Sequence, residues 1–297
     1  MKIKYSHSDR IFFFFNRLLA LFFFCIVLYP LLFVVSASFS DPAAVAQGKV
    51  TVFPVGFSLA GYTAVFNSKS IGIGYLNSIF YMVAGTIVNV IMAILAAYPL
   101  SQKDFIGRKI FTFIIVFTML FSGGMIPSYL LVNALGLIDS YAAMIIPSAF
   151  NAFNAVLVMN FFRSNISEDL NGAAKIDGCN DFIFVAKIVI PLSKSILAVI
   201  ALFTAVGCWN SYFNAMLYLR DSAKFPLQLV LRDVVVNNQF SLDLLSKGDI
   251  RDLIKKQNAQ ELLKYSTIVV ASAPLMMIYP FVQKYFVKGV MIGSVKG

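Results

Sequence analysis

The sequence predicts an all-α, polytopic membrane protein with six transmembrane helices and one polar helical segment between the fourth and the fifth. Three observations predict it. Of the 297 residues, 59% are hydrophobic and 13% are charged, roughly half the charged share of a soluble domain. A chain that poor in charge, with 30 Phe, cannot cover itself with a polar surface in water. Apolar runs then recur along the chain, each about 20 residues long, the length a helix needs to cross a bilayer. The third observation is the stretch 168–195, which carries Glu168, Asp169, Asp177 and Asp181 between two such runs.

A basic tail leads into the first run, 11–39, broken only by Asn16 and Arg17. The basic start resembles a signal peptide, but the apolar part exceeds the ~7–15 residues of a signal core, so an uncleaved span is expected. A loop rich in Gly and Pro follows. The second span covers about 75–100, ending at Pro99, and a short basic loop leads to the third, about 110–132, which contains Ser122-Gly123-Gly124 and Pro127. After a tight turn at 133–140 the fourth span covers about 141–162. The polar segment 163–186 precedes the fifth span, about 188–219. A long polar loop, 220–263, precedes the sixth, about 265–285, and a short basic tail ends the chain. The whole chain, 1–297, reads as a single transmembrane domain.

Six spans put both termini on one side. That side receives the N-terminal tail, the 101–109 loop, the 163–186 segment and the C-terminal tail, where most basic residues lie. Outside the long loop, the other side receives only Lys49 and Lys69. Positive charge stays on the cytoplasmic side, so both termini and the 163–186 segment are expected there, in a bacterial cell membrane. The net charge of +10 is accounted for by loops beside anionic membrane lipid, so no nucleic-acid partner is expected.

Several chemistries are excluded. The three Cys, at 25, 179 and 208, form no paired spacing, and the lone His7 lies in the tail. Neither a metal site nor a His-dependent catalytic triad is indicated. No G-x-x-x-x-G-K-[ST] occurs, so the chain holds no ATP by a P-loop and is expected to bind no cofactor itself. No span carries an Asp, Glu, Lys or Arg at its centre, which argues against the alternative reading, an ion-coupled secondary carrier.

The polar segment has the shape of a docking element. Asn165 or Ser167 can cap a helix whose first turn holds Glu168 and Asp169, favourable for the helix dipole. Ala173 and Ala174 keep one face thin for close approach by another protein. Gly178 is placed to end the helix, and Asn180 can cap a second one running from Asp181 to Ile190. The alternative is an amphipathic connecting helix resting on lipid.

Here the sequence resembles a family. G-A-A-K-I-D-G-C-N followed by I-V-I-P-L-S-K is similar to the E-A-A-x-x-D-G-A…I-x-L-P motif of permease subunits of ATP-binding-cassette (ABC) importers. The likeness rests on Ala173, Ala174, Asp177, Gly178, Ile190 and Pro191, and departs at Gly172, where the family carries Glu, and at Cys179. L-N-S-I-F, A-A-Y-P-L-S, G-R-K and C-W-N-S-Y-F follow in the order of the carbohydrate branch, and the ending Y-F-V-K-G-V-M-I-G-S-V-K-G resembles the LplC/YtcP-like permeases, relatives of the maltose-transport permease. The resemblance implies the type I ABC importer permease fold, with 163–186 as the coupling helix that docks on a cytosolic ATPase through Glu168, Asp169, Gly172, Ala173, Ala174, Asp177 and Gly178. It further implies a second homologous permease subunit, two ATPase subunits carrying ATP and Mg, an extracytoplasmic solute-binding protein facing the long loop, and a carbohydrate cargo.

A second set of residues lies within the spans: Asn151 and Asn154 on the fourth, and Trp209, Asn210, Tyr212 and Asn214 on the fifth. Amides in hydrocarbon need partners or an aqueous path, and amides with aromatic faces suit a sugar. They are therefore candidates for the substrate path, with hydrogen bonding between helices as the alternative. The Ser122-Gly123-Gly124 run and the prolines at 127, 147, 274 and 280 admit two readings, hinges or close helix packing.

Overall fold

The computed structural model describes residues 6–236 and 262–278, together with 280 and 283. Among these residues there are helices and turns and no strand. The chain divides into two compact units, Met1–Lys69 with Asp233–Ser272, and Ser70–Arg232 with Ala273–Gly297.

The first unit begins with α1 (His7–Ser38), a helix of 32 residues that runs through Pro30. Its apolar side chains, the Phe12–Phe15 and Phe22–Phe24 runs among them, are exposed along nearly the whole length, and burial begins only at Ser36. The loop that follows is ordered by short elements, α2 (Pro42–Ala46) and α3 (Ala60–Asn67). Asp41 starts α2 by accepting from the Ala43 and Ala44 N–H groups. The end of α1 is pinned: the Ser40 hydroxyl accepts from Val55 N, Asp41 N donates to Val55 O at 2.9 Å, and Ser36 Oγ donates to Val52 O. Ala37, Ala44, Val45 and Val50 form a small core with Leu262 of the helix Leu262–Ile278.

The second unit is built on α4 (Lys69–Ser101), 33 residues long. It starts earlier than expected, and Pro99 sits in its last turn instead of ending it. Its buried positions, from Ile71 through Gly74, Ser78, Tyr81, Gly85, Asn89, Ala93 and Ala97 to Leu100, recur every three or four residues and form one stripe. Small residues on the stripe let neighbours approach: a methyl group at Gly85 would come within 2.8 Å of Cys208 Sγ.

The third expected span is not continuous. It forms α5 (Arg108–Leu120) and α6 (Met125–Ala134), bent by 114° at the break. Gly124 carries a φ of 88° and a methyl group there would meet nothing within 4 Å. The positive φ at Gly124 fits the reading of backbone freedom, and within this chain no neighbour packs on it. The fourth span is also broken, into α7 (Ala142–Ile145) and α8 (Ala152–Asn165). Pro147 lacks the donor needed to carry the helix on, and Asn151 restarts it by accepting from Asn154 N at 3.1 Å.

Next come α9 (Glu168–Ile176), α10 (Asp181–Phe184), a π turn (Val185–Val189) and α11 (Ile190–Leu192). The expected helix from Asp181 to Ile190 is thus wound wider at its centre. The chain then bends by 83° into α12 (Lys194–Trp209), followed by α13 (Tyr212–Tyr218). The long loop opens with a 3-10 turn (Ser222–Lys224) and α14 (Leu227–Val236); its remainder, 237–261, lies outside the described residues. Where the sixth span is expected, the described residues form α15 (Leu262–Ile278), an apolar helix shorter than a full span; the last part of that stretch and the C-terminal motif lie mostly outside them.

Among the described residues two helices, α1 and α4, are long and apolar enough to cross a membrane, or four spans if each bent pair counts as one. The main core of the second unit sits where α4, α8, α9, α10 and α12 converge, around Ala97, Leu100, Val158, Phe162, Phe184 and Ile200.

Candidate functional site

The 163–186 segment folds as helix, turn, helix, for reasons local to its sequence. Ser167 caps α9, its hydroxyl accepting from Leu170 N at 3.3 Å. Glu168 and Asp169 lie in the first turn and Lys175 in the last, each at the end of the helix dipole that favours its charge. Gly178, with a φ of 75°, takes the left-handed conformation that stops the helix, and Cys179 N returns to Ala174 O at 2.9 Å. Asn180 then accepts from Ile183 N at 2.8 Å and starts α10.

One face of this hairpin belongs to the core. Ala174 is buried there, with Leu170 and Phe184, against α4 and α8. The expectation that both alanines thin the outward face is therefore met by Ala173 alone; Ala174 is taken up by packing inside the unit. Polar ties hold the hairpin to the end of α4 and the loop after it. Asn171 Nδ2 donates to Gln102 Oε1 at 2.8 Å, and the Tyr98 hydroxyl donates to Asp181 Oδ1 at 3.0 Å. Glu168 pairs with Lys103 at 2.7 Å on the surface. Arg163 donates to Leu100 O at 2.7 Å, a cation at the C-terminal end of α4. Burial, together with the neighbouring Arg108, draws the Arg163 guanidinium below its ordinary pKa.

The other face is bare. Asp169, Gly172, Ala173, Asp177 and Gly178 are exposed. So are two large apolar side chains on either side of the turn, Ile176 at 89% and Phe182 at 81%. No Cβ at Gly172 would meet a neighbour within 4 Å, so the position where the family carries Glu is open space.

The in-span candidates separate. Asn154 is 4% exposed, and its amide donates to Asn89 Oδ1 at 2.9 Å and to Thr204 Oγ1 at 3.1 Å. Thr204 donates to the same Asn89 oxygen, while Asn89 Nδ2 donates to the Ser148 and Ala149 carbonyls. This closed network joins α4, α8 and α12. Trp209 is fully buried, edge-on to Tyr75 with centroids 5.6 Å apart. Asn151 is exposed and occupied as a cap. Asn210 is exposed, its amide donating to Val206 O; Tyr212 and Asn214 are exposed just beyond the break between α12 and α13. Asn151 and Asn154 are joined through the cap, and Asn210, Tyr212 and Asn214 share one short stretch of chain.

A third cluster was not anticipated. Asp139, the one described residue other than Gly with positive φ (58°), sits in the 133–140 turn. Its Oδ1 accepts from Arg220 N at 3.1 Å and Asp221 N at 3.0 Å. Lys224 Nζ donates to Asp139 O at 2.7 Å and to Oδ2 at 3.1 Å. The Asp221 and Arg220 N–H groups and the Lys224 charge hold the Asp139 carboxyl at a pKa of about 2, and the same partner raises that of Lys224. On the opposite side Asn77 donates to the Ala223 and Phe225 carbonyls, Tyr81 to Lys224 O, and the Ser78 hydroxyl accepts from Leu227 N. Partners more than 80 residues apart leave no local signal, although an Asp closing a Gly-containing turn is a common left-handed position. Among the described residues no three His, Cys, Asp or Glu are grouped to hold a metal ion.

Comparison with known proteins gives the following. The profile of the family described as "Binding-protein-dependent transport system inner membrane component" matches residues 70–292. The polygalacturonan/rhamnogalacturonan transport system permease protein YtcP of Bacillus subtilis is 45% identical over 278 residues, 93% of this chain and 95% of that one. Protein LplC of Bacillus subtilis is 42% identical over 279 residues, 92% of this chain and 90% of that one. A chain in the crystal structure of a bacterial ABC transporter involved in the import of the acidic polysaccharide alginate superposes with a TM-score of 0.87 at 39% identity, covering 96% of this chain and all of that one.

Proposed function

The chain belongs to the binding-protein-dependent transport system inner membrane component family, and from that premise we propose that it draws an oligosaccharide through the cell membrane with energy supplied by a separate ATPase. It is an all-helical transport permease and not a catalytic subunit. In the proposed assembly it pairs with a second, homologous permease, rests on two cytosolic ATPase subunits that carry ATP and Mg, and receives cargo from an extracytoplasmic binding protein. Six spans, with both termini and the 163–186 segment in the cytoplasm and the 133–140 turn and long loop outside, complete the arrangement.

The observation that carries the reading is the two-faced α9–α10 hairpin. Its inner face is packed into the core that α4, α8 and α12 share. A pull on its outer face therefore reaches three long helices. That outer face offers Ile176 and Phe182 around a left-handed Gly178, with Asp169 and Asp177 beside them. An apolar tip rimmed by carboxylates suits a groove on another protein. When the ATPase dimer closes on ATP, the hairpin moves with it and the spans exchange inward for outward access; hydrolysis resets them. The exposed Asn151, Asn210, Tyr212 and Asn214 are the groups placed to line the path, Asn151 and Asn210 with one amide atom each already bonded to the chain, whereas Asn154 and Trp209 support it from within.

The relatives' names include pectic polysaccharides and alginate, all uronate-bearing, so uronic oligosaccharides are the cargo class proposed for this chain. The test is ATP hydrolysis by the assembled transporter in proteoliposomes with its binding protein. Stimulation by oligogalacturonates above neutral oligosaccharides of the same length is expected. Equal stimulation by neutral sugars overturns the uronate assignment, and no dependence on any binding protein overturns the importer reading.

A further inference from the structure

We propose that Asp139 and Lys224 form a clamp that presets the 219–227 segment for the docked binding protein, as positioning residues that touch neither cargo nor ATPase. The inference rests on the outward placement of the 133–140 turn and the long loop proposed above.

Arg220 N, Asp221 N, Ala223 O, Lys224 O, Phe225 O and Leu227 N are all bonded by side chains from elsewhere in the unit. Asp139 supplies two of these bonds from one side, and Asn77, Ser78 and Tyr81 of α4 supply the rest from the other. The side chains of Arg220, Asp221 and Ser222 meanwhile stay exposed. Asp221 braces the turn from within, its Oδ1 accepting from Ala223 N at 2.9 Å, and backbone tied at six atoms with exposed polar side chains is a prearranged contact edge. Ordering such a segment costs conformational entropy at every residue; when the fold has already ordered it, a partner binds without bearing that cost.

Lys224 is the keystone because it closes the clamp on itself. Its ammonium reaches back to the carbonyl and carboxylate of Asp139, while its own carbonyl accepts from Tyr81. It is the only described residue tied to both sides. Its side chain and that of Asp139 are 24% and 31% exposed, so the pair is partly shielded from solvent.

The experiment titrates ATP hydrolysis by the reconstituted transporter with cargo-loaded binding protein. Asp139→Asn keeps an acceptor for the two N–H groups and tolerates the left-handed φ, but loses the charge pair. Lys224→Met loses it from the other end. Each is expected to raise the half-saturating binding-protein concentration about threefold, leaving the maximal rate and the rate without binding protein unchanged. The double variant should be no worse than Lys224→Met alone, because the charge pair that Asp139→Asn removes is already lost there, together with the Lys224 bond to Asp139 O and its pairing with Asp221. Tyr81→Phe, which breaks a backbone tie and leaves the charges in place, should shift the same parameter in the same direction and covers the case in which an Asp139 variant fails to assemble. A lowered maximal rate at unchanged half-saturation, or additive shifts in the double variant, overturns the clamp. Labelling of Ser222→Cys by an impermeant maleimide separates the two readings. Modification only from the cytoplasmic side overturns the outward placement and this inference with it; modification from outside with an unshifted half-saturation overturns this inference alone.

Discussion

Asn154 is a polar side chain in an apolar stretch of sequence, and it is 4% exposed; Ile176 is an apolar side chain in the most polar stretch, and it is 89% exposed. The two lie in the same unit and meet opposite fates. Asn154 has nowhere in hydrocarbon to put its amide, so it turns inward to Asn89 and Thr204, and three helices are joined as a result. Ile176 has nowhere in its own chain to go, because the inner face of α9 is already filled by Leu170 and Ala174. In a membrane subunit, burial follows the partner that is present and not polarity alone. A buried amide reports on the subunit itself, and under the proposed function an exposed aliphatic tip is available to a second one.

The largest expected effect lies at the tip. Ile176→Asp should leave the thermal midpoint unchanged and weaken ATPase co-purification more than about tenfold, the loss typical of a central contact residue; Ile176→Leu should retain binding. Undiminished binding by the Asp variant would remove the tip from the interface and break the contrast at its outer end. Asn154→Leu tests the inner end. It should lower stability in detergent by about 1–2 kcal/mol, with a smaller further loss when combined with Thr204→Val, since both act on one network. If Asn154→Leu leaves stability intact but abolishes cargo-stimulated hydrolysis, the residue belongs to the path after all.

Gly172→Ala sharpens the comparison at lower amplitude. A mid-helix Gly costs about 1 kcal/mol relative to Ala, and the position is open. Slower amide exchange through α9 is expected, with coupling preserved; impaired coupling would show that the bare Gly face itself is read by the ATPase. The smallest effect concerns pH. Asp139, at a pKa of about 2, lies below its unfolded value of about 3.9. A depressed carboxylate contributes fully above the unfolded value and loses that contribution as pH falls through the folded one. Binding-protein response should therefore be flat from about pH 5 to 8 as far as Asp139 is concerned. A step in that window that Asp139→Asn removes would contradict the assignment.

Much of the α9–α10 hairpin was legible because its signals are local. Ser167, Gly178 and Asn180 act on residues within four positions, so caps and turn follow from residue type. The straight third, fourth and fifth spans were not legible as broken helices. Hydropathy registers an unbroken apolar run across Ser122-Gly123-Gly124, Pro147 and Ser193 alike, and only backbone geometry reports the bends of 114° and 83°. The substrate-path set was legible as polar residues in spans, but not as two groups. Whether an amide such as Asn154 or Asn151 faces a neighbour or open space depends on helix rotation, which a weakly amphipathic helix does not declare.

Composition, apolar run length and charge placement thus determined by themselves that this is a helical membrane subunit, and local capping chemistry determined where its polar hairpin turns. Both depend on free energies that each segment carries alone: transfer of side chains into lipid, and satisfaction of backbone groups at helix ends. The tertiary structure decided which polar groups are consumed internally. The Asn89–Asn154–Thr204 network and the Asp139–Lys224 clamp join residues 50 to 115 positions apart, and such pairings exist only once the helices have packed and the distances between them are set.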